Sequence, residues 1–174
     1  MVFSTCGSSL TKMFRSGIGY DAHRFGGDRK LVLGGVEIPH ALGLEGHSDA
    51  DVLTHAIADA LLGAIGERDI GHHFPNTDES IRGISSLEIL RRVGALLAEN
   101  NCRVANVDAT LIAETPKIGP YLDAMRGKIA AALGIEVTQV GIKATTNEGM
   151  GALGRREGMA AMAVASVEAN ESLG

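Results

Sequence analysis

At 174 residues, 45% of them hydrophobic, the chain is long enough to bury one proper core and too short for two. Two Tyr, four Phe and no Trp stand against 23 Gly, so the core is built from aliphatic and small side chains, and the scarcity of aromatics argues against a base-stacking nucleic-acid platform. A net charge of −5 leaves no broad positive field for a polyanionic duplex or an acidic membrane surface, while local groups can still hold a small phosphorylated substrate.

Residues 1 to 15 bear Ser and Thr, are basic and carry no acid. Transit sequences share that composition, but this stretch is short and lacks a long apolar region. Residues 1–13 are therefore read as an N-terminal extension, with Met13 an alternative start, and residues 14–174 as a single domain. Ser16–Phe25 and Leu31–Ile38 read as short strands joined by a turn at Gly26-Gly27-Asp28, with Gly34-Gly35 marking a bulge. From Asp49 to Gly66 the pairs Val52/Leu53, Ala56/Ile57, Ala60/Leu61 and Ala64/Ile65 recur every four residues and predict a helix with one broad buried face.

A second helix starts at Ser85, where Ser85 and Glu88 have the spacing of a capping box. It continues through Leu87, Leu90, Val93 and Leu97 to Asn100-Asn101. Val104–Ala113 alternates like a strand. The third helix has Pro120 in its first turn and Gly134 after its last. Two final strands, Val140–Thr146 and Met159–Val167, flank a glycine-rich loop. The order β-β-α-α-β-α-β-β predicts an α/β chain of the α+β type, a two-layer sandwich of one mixed sheet with helices on one face.

Cys6 and Cys102 lack metal-site spacing and give no disulfide framework, which fits a reducing cytosol. The longest apolar stretch, Met159–Val167, falls short of the roughly 20 residues that span a bilayer.

Five segments offer chemistry. Asp21-Ala22-His23 lies on a strand, where a spacing of two puts both side chains on one face about 6.6 Å apart. On the first helix, Asp51, His55 and Asp59 align at i, i+4, so either Asp is placed to orient the imidazole from behind a metal. Two His and one Asp make a three-ligand set that leaves a fourth position for substrate; by spacing alone they read equally as isolated polar residues on a surface and a cap.

His47-Ser48-Asp49, ahead of that helix, faces an anion or simply caps the helix. The loop Asp69–Asp78 is too polar to be core and either binds substrate or connects; its His72-His73 pair reads as solvent-exposed. Thr145-Thr146-Asn147-Glu148, followed by Gly149, Gly151, Gly154 and Arg155-Arg156, suits a phosphate with its magnesium, or is a turn. No Walker A pattern occurs.

Taken in order, these segments resemble the 2-C-methyl-D-erythritol 2,4-cyclodiphosphate synthase family from about Phe14 to the last strand. The telling pieces are Gly19–Phe25, His47–Val52, Asp69–Gly71, Phe74–Asp78, Asn106–Thr110, Ala113–Lys117 and Lys143–Glu148. One alone is weak; all in register form a specific signal.

The resemblance implies a CMP-releasing, cyclising phosphorus-oxygen lyase of the non-mevalonate isoprenoid pathway. Its substrate would be 4-diphosphocytidyl-2-C-methyl-D-erythritol 2-phosphate. It further implies that Asp21, His23 and His55 hold zinc, that Glu148 holds magnesium or manganese, and that His47 and Thr146 brace the phosphates, with Ser48 beside them. Asp69, Ile70 and Gly71 would meet the methylerythritol hydroxyls, with Phe74, Pro75, Asn76, Thr77 and Asp78 closing over them. Ala113, Glu114, Thr115, Pro116, Lys117, Ile118 and Gly119 would line the cytidine pocket with Thr145, while Asn147, Ala152 and Arg155 complete the phosphate loop.

The family pattern departs here at Asn76, Asn147, Ala152 and Arg156, none of which is a zinc ligand. The implied assembly is a homotrimer with active sites between subunits, cytoplasmic in a bacterium, or plastid-borne if the extension belongs to a transit peptide. No nucleic-acid or membrane partner is implied. Two competing readings are a zinc hydrolase using the same ligands, which lacks a motif-placed general base, and a trimeric module that binds an isoprenoid or nucleotide without turnover.

Overall fold

The fold, obtained as a computed structural model, is described for residues 11–46, 48–75, 77 and 83–171. Two long strands dominate it. β1 (Thr11–Arg24) and β6 (Gly158–Glu171) pair antiparallel along their whole length. β6 pairs on its other side with antiparallel β4 (Cys102–Ile112), and β4 pairs with parallel β5 (Val140–Thr145), giving the order β1-β6-β4-β5. This is the mixed sheet expected.

Helices α1 (Val52–Ile65), α3 (Ser86–Glu99) and α4 (Leu122–Leu133) form the second layer, with short helices α2 (Ile70–His73) and α5 (Gly151–Gly154) in loops. Alternate residues of β6, Met159, Ala161, Ala163, Ala165 and Val167, are buried toward the helices together with Val107, Ala109 and Leu111 of β4. The central helix α1 buries Val52, Leu53, Ala56, Ile57, Ala60, Leu61 and Leu62.

Small residues let α1 lie unusually close to β1. A Cβ on Gly17 would sit 2.1 Å from the Ala60 carbonyl oxygen, and one on Gly19 would sit 2.0 Å from that of Ala56. Only glycine fits either position. The other face of the sheet has no helix over it among the described residues, and it carries apolar cross-strand pairs. Ile18 (67% exposed) lies opposite Val164 (48%), and Tyr20 (58%) opposite Met162.

Several sequence expectations shift. Leu31–Ile38 is not one strand beside β1 but a hairpin of its own, β2 (Leu31–Leu33) and β3 (Val36–Ile38). Gly34-Gly35 is its two-residue turn rather than a bulge, with φ of 54° and 70°, because such a turn demands positive φ at both positions. β1 starts earlier than Ser16: Thr11–Arg15 pairs with Val167–Glu171, so Thr11–Met13 of the expected extension lie in the strand. The bulge falls instead in β4, between Val104 and Asn106.

Ser85 has the backbone of an N-cap but makes no side-chain cap bond, so the predicted capping box does not form. The helix stop read from glycine at Gly134 holds as a left-handed C-cap, and Gly66, the end of the span expected for the first helix, is another.

Candidate metal centre and the loops around it

The metal triad follows from how β1 and α1 run past each other. Gly17 lies against Ala60 and Ala64, and Gly19 against Ala56 and Ala60, so the helix descends as the strand ascends. Two residues of strand advance about 6.6 Å and four of helix about 6 Å, so the pair stay in step. The next facing residue of the strand, Asp21, therefore meets His55. Asp21 Oδ2 lies 2.9 Å from His23 Nε2 and 3.0 Å from His55 Nδ1. The two imidazole nitrogens are 3.5 Å apart.

Ligand atoms about 2.0–2.2 Å from a tetrahedral ion are spaced roughly 3.3 Å apart, so these three fit a divalent metal. Among the described residues no other group of three or more His, Cys, Asp or Glu side chains could hold an ion. His72 and His73 lie on α2, where His73 Nε2 faces Glu67 at 3.3 Å.

The centre prefers positive charge. Burial alone would raise the Asp21 carboxyl, but hydrogen bonds and charge from His23 and His55 hold it well below the usual carboxylate range. Burial alone would likewise lower His55, yet Asp21 outweighs it and His55 is raised. A proton shared here marks the place that a cation takes.

Neither aspartate expected to orient His55 does so. Asp51, fully buried, caps α1 by accepting from Thr54 N and Thr54 Oγ1, and also accepts from Gly34 N at 2.9 Å and Gly35 N at 2.8 Å. It ties the β2–β3 turn to the start of α1, and burial together with the Asp49 charge raises its pKa. Asp59 accepts from Ile70 N at 2.8 Å and anchors the Asp69–Phe74 segment; burial raises it too.

The groups at His55 Nε2 are hydroxyls, Ser86 Oγ at 2.8 Å and Ser48 Oγ at 3.0 Å, with Asp49 behind Ser86. Sequence reasoning missed Ser86 because it arrives from α3, 31 residues away, and no periodicity announces that contact.

A second group of residues gathers at the ends of β4 and β5. Ala113 N donates to Thr145 O, which holds the Ala113–Gly119 segment beside Thr145–Gly149. Glu114 Oε1 accepts from Asn147 N at 2.9 Å and Gly149 N at 3.1 Å, so that carboxylate latches the loop. Thr146 Oγ1 donates to Glu148 Oε1 at 2.7 Å, and Glu148 has a φ of 50°. Lys117, Thr145, Thr146 and Glu148 are exposed, as is Ala152, whereas Ile118 is buried. Arg155 is exposed and pairs with Glu157 at 2.7 Å. The peptide bond Thr115–Pro116 is cis.

Among the described residues no hydrogen bond or ion pair joins this group to the triad. The register explains the separation. Ala22, Ala160, Ile112 and Thr145 form one row across the sheet, so triad and loop lie at the same end but on opposite edges, three strand spacings or about 14 Å apart. Of the remaining expected residues, Asp69 precedes α2, Ile70 and Gly71 lie in it, and Phe74, Pro75 and Thr77 follow. His47, Asn76 and Asp78 lie outside the described residues.

Comparisons bear on both groups of residues at once. A relative from Alkaliphilus metalliredigens, named 2-C-methyl-D-erythritol 2,4-cyclodiphosphate synthase, is 60% identical over 92% of this chain and 99% of its own. One of the same name from Symbiobacterium thermophilum is 62% identical over 87% of this chain and 96% of its own.

Among solved structures, the bifunctional IspDF from Campylobacter jejuni superposes with a TM-score of 0.88 at 37% identity, covering 92% of this chain; the chain spans 44% of that longer protein. The Plasmodium falciparum IspF CDP complex matches with a TM-score of 0.79 at 32% identity over 91% of this chain and 97% of its own. The model of the YgbB family matches residues 14–168, a span that takes in the triad and the loop alike, and the chain belongs to that family.

Proposed function

We infer that the chain is a 2-C-methyl-D-erythritol 2,4-cyclodiphosphate synthase, a lyase of isoprenoid precursor synthesis that closes a cyclic diphosphate and releases CMP. One observation carries the reading: Asp21 and His23 of β1 converge with His55 of α1 on a metal-sized site, in a chain that matches synthases of that name nearly end to end. The substrate is 4-diphosphocytidyl-2-C-methyl-D-erythritol 2-phosphate. An oxygen of its 2-phosphate bonds to the β-phosphorus, the bond from that phosphorus to the CMP oxygen breaks, and the electron pair leaves with CMP. No water enters and no enzyme nucleophile is required.

For such a transfer the protein positions groups and neutralises charge. Zinc would supply a Lewis acid for the phosphoryl transfer, and a magnesium or manganese ion would supply further charge neutralisation. Asp21, His23 and His55 hold the first ion and Glu148 the second. Thr146 and His47 brace the phosphates, with Ser48, Asn147 and Arg155 near them. Asp69 and Gly71 orient the methylerythritol hydroxyls beneath the Phe74–Asp78 segment. Lys117 and the rest of Ala113–Gly119, with Thr145, take the cytidine.

The working unit is a homotrimer with each site between two subunits. Two observations support it: the halves stand on opposite edges of one sheet, and the helix-free face of that sheet is apolar at Ile18, Tyr20, Met162 and Val164. No described helix is long and apolar enough to cross a membrane, and the reaction is read as cytoplasmic.

Purified protein given the diphosphocytidyl substrate in oxygen-18 water should yield CMP and an unlabelled cyclic diphosphate in the phosphorus NMR spectrum. A labelled, ring-opened phosphate product would overturn the cyclase reading in favour of a hydrolase.

A further inference from the structure

We propose that Asp49 and Ser86 are positioning residues of the metal centre, a carboxylate–hydroxyl chain that fixes the His55 ring with its proton on Nε2 and its lone pair on Nδ1. The proposal rests on the metal reading above and concerns what holds the ligand in its binding form. A carboxylate only accepts hydrogen bonds, whereas a hydroxyl has one proton to give.

Asp49 takes Ser86 N on Oδ2 at 3.0 Å and the Ser86 hydroxyl on Oδ1, while Asp51 N approaches Oδ1 at 3.4 Å. The single Ser86 proton therefore points at Asp49. What Ser86 Oγ presents to His55 Nε2, 2.8 Å away, is a lone pair, so Nε2 must be the donor. A neutral imidazole protonated on Nε2 is bare on Nδ1. That nitrogen faces Asp21 Oδ2 and His23 Nε2.

Burial makes the arrangement firm. Ser86 is fully buried at the start of α3, where water cannot replace its hydroxyl. Ser48 Oγ also lies near Nε2 at 3.0 Å, but it accepts from Ala50 N and its own proton is uncommitted, so it does not dictate the tautomer. The instruction comes from Asp49 through Ser86, and it makes the first turn of α3 part of the metal site.

Asp49→Asn is nearly isosteric but offers an N–H on one side. With Ser86 N still held by the amide oxygen, the hydroxyl meets a donor and turns its proton toward His55. Ser86→Ala removes the acceptor altogether. In full-length protein, zinc affinity measured by chelator competition should fall about 10- to 100-fold in each variant, the usual cost of losing a supporting partner. Nitrogen-15 NMR of the zinc-loaded parent should show His55 protonated on Nε2 and ligated through Nδ1, with that state depleted or mixed in Asp49→Asn.

Variants that bind zinc as tightly as a zinc-binding parent, with His55 unchanged, would overturn the proposal and leave the metal reading standing. A parent that binds no zinc would sink both.

Discussion

The two halves of the proposed site are made by opposite means. Asp21, His23 and His55 project from a strand and a helix of fourteen residues each, and their spacing follows from the packing of those elements. Thr146 and Glu148, by contrast, sit on an exposed loop at the other sheet edge, held chiefly by the Glu114 carboxylate across a short gap. One half is finished by folding. The other is shaped in one chain yet lies exposed, and under the shared-site proposal a neighbour's edge completes it. Precision thus lies where a metal demands fixed donor atoms, and adaptability lies in the loop proposed to receive the substrate.

The sharpest break between the halves should come from His55→Ala. A two-ligand site retains the ion poorly, so zinc content should collapse and turnover should fall about 10³-fold or more. Equal zinc in variant and parent would dismiss His55 as a ligand. Glu148→Gln strikes only the loop half. It should keep its zinc, lose about 10²-fold in turnover and recover partly at high magnesium or manganese; zinc lost in proportion would mean that the halves share one ion.

Complementation asks whether the halves come from different subunits. A zinc-dead His23→Ala chain and a pocket-dead Lys117→Glu chain, dissociated and reassembled together, should regain a fraction of the parent rate. Mixed trimers verified by mass spectrometry and still inactive would refute a shared site. A smaller effect is expected of Glu114→Ala, which frees two loop amides at an exposed place. It should weaken substrate binding about tenfold and cost about 1 kcal/mol of stability. An unchanged KM with a collapsed melting temperature would recast Glu114 as a core support.

The mildest test is pH. His55 is raised in the metal-free chain, so its contribution to stability is full below about 6.5 and is lost as pH rises through the raised value. Zinc competes with that proton, so the melting-temperature gap between zinc-loaded and chelated protein should widen from about pH 6 to about pH 8. A gap that narrows over this range contradicts the ligand assignment.

How much of this was legible in the sequence follows the same divide. The Asp21/His23 spacing and the four-residue rhythm of α1 put those side chains on defined faces, because strand and helix periods are fixed by backbone geometry, while the family resemblance singled them out as ligands. The glycine stop at Gly134 was legible because a helix C-cap takes a left-handed backbone that glycine adopts without strain. The role of Asp51 was not: its i, i+4 relation to His55 suggested a partner, but a cap at the helix start competes for the carboxylate, and four donors win. Ser86 stood inside the plausible Ser85–Glu88 capping box, and only tertiary packing shows it bound to Asp49. In the loop half, motifs pointed to Thr146 and Glu148, whereas the latch from Glu114 depends on two loops meeting beyond the strand ends, which no local pattern encodes.

Gly17 and Gly19 carry a last consequence. With a helix carbonyl about where each missing Cβ would be, β1 and α1 touch backbone to backbone, and the thickness of the molecule at that point is a hard stop rather than an average over supple side chains. The bite of the metal clamp is therefore set farther down the strand, where no ligand is present. A methyl group added there would act as a shim, prying His55 away from Asp21 while leaving every donor atom intact. A divalent metal held there would serve as a gauge of the core itself: defects in layer spacing too slight to unfold the chain would register first as a leaking ion.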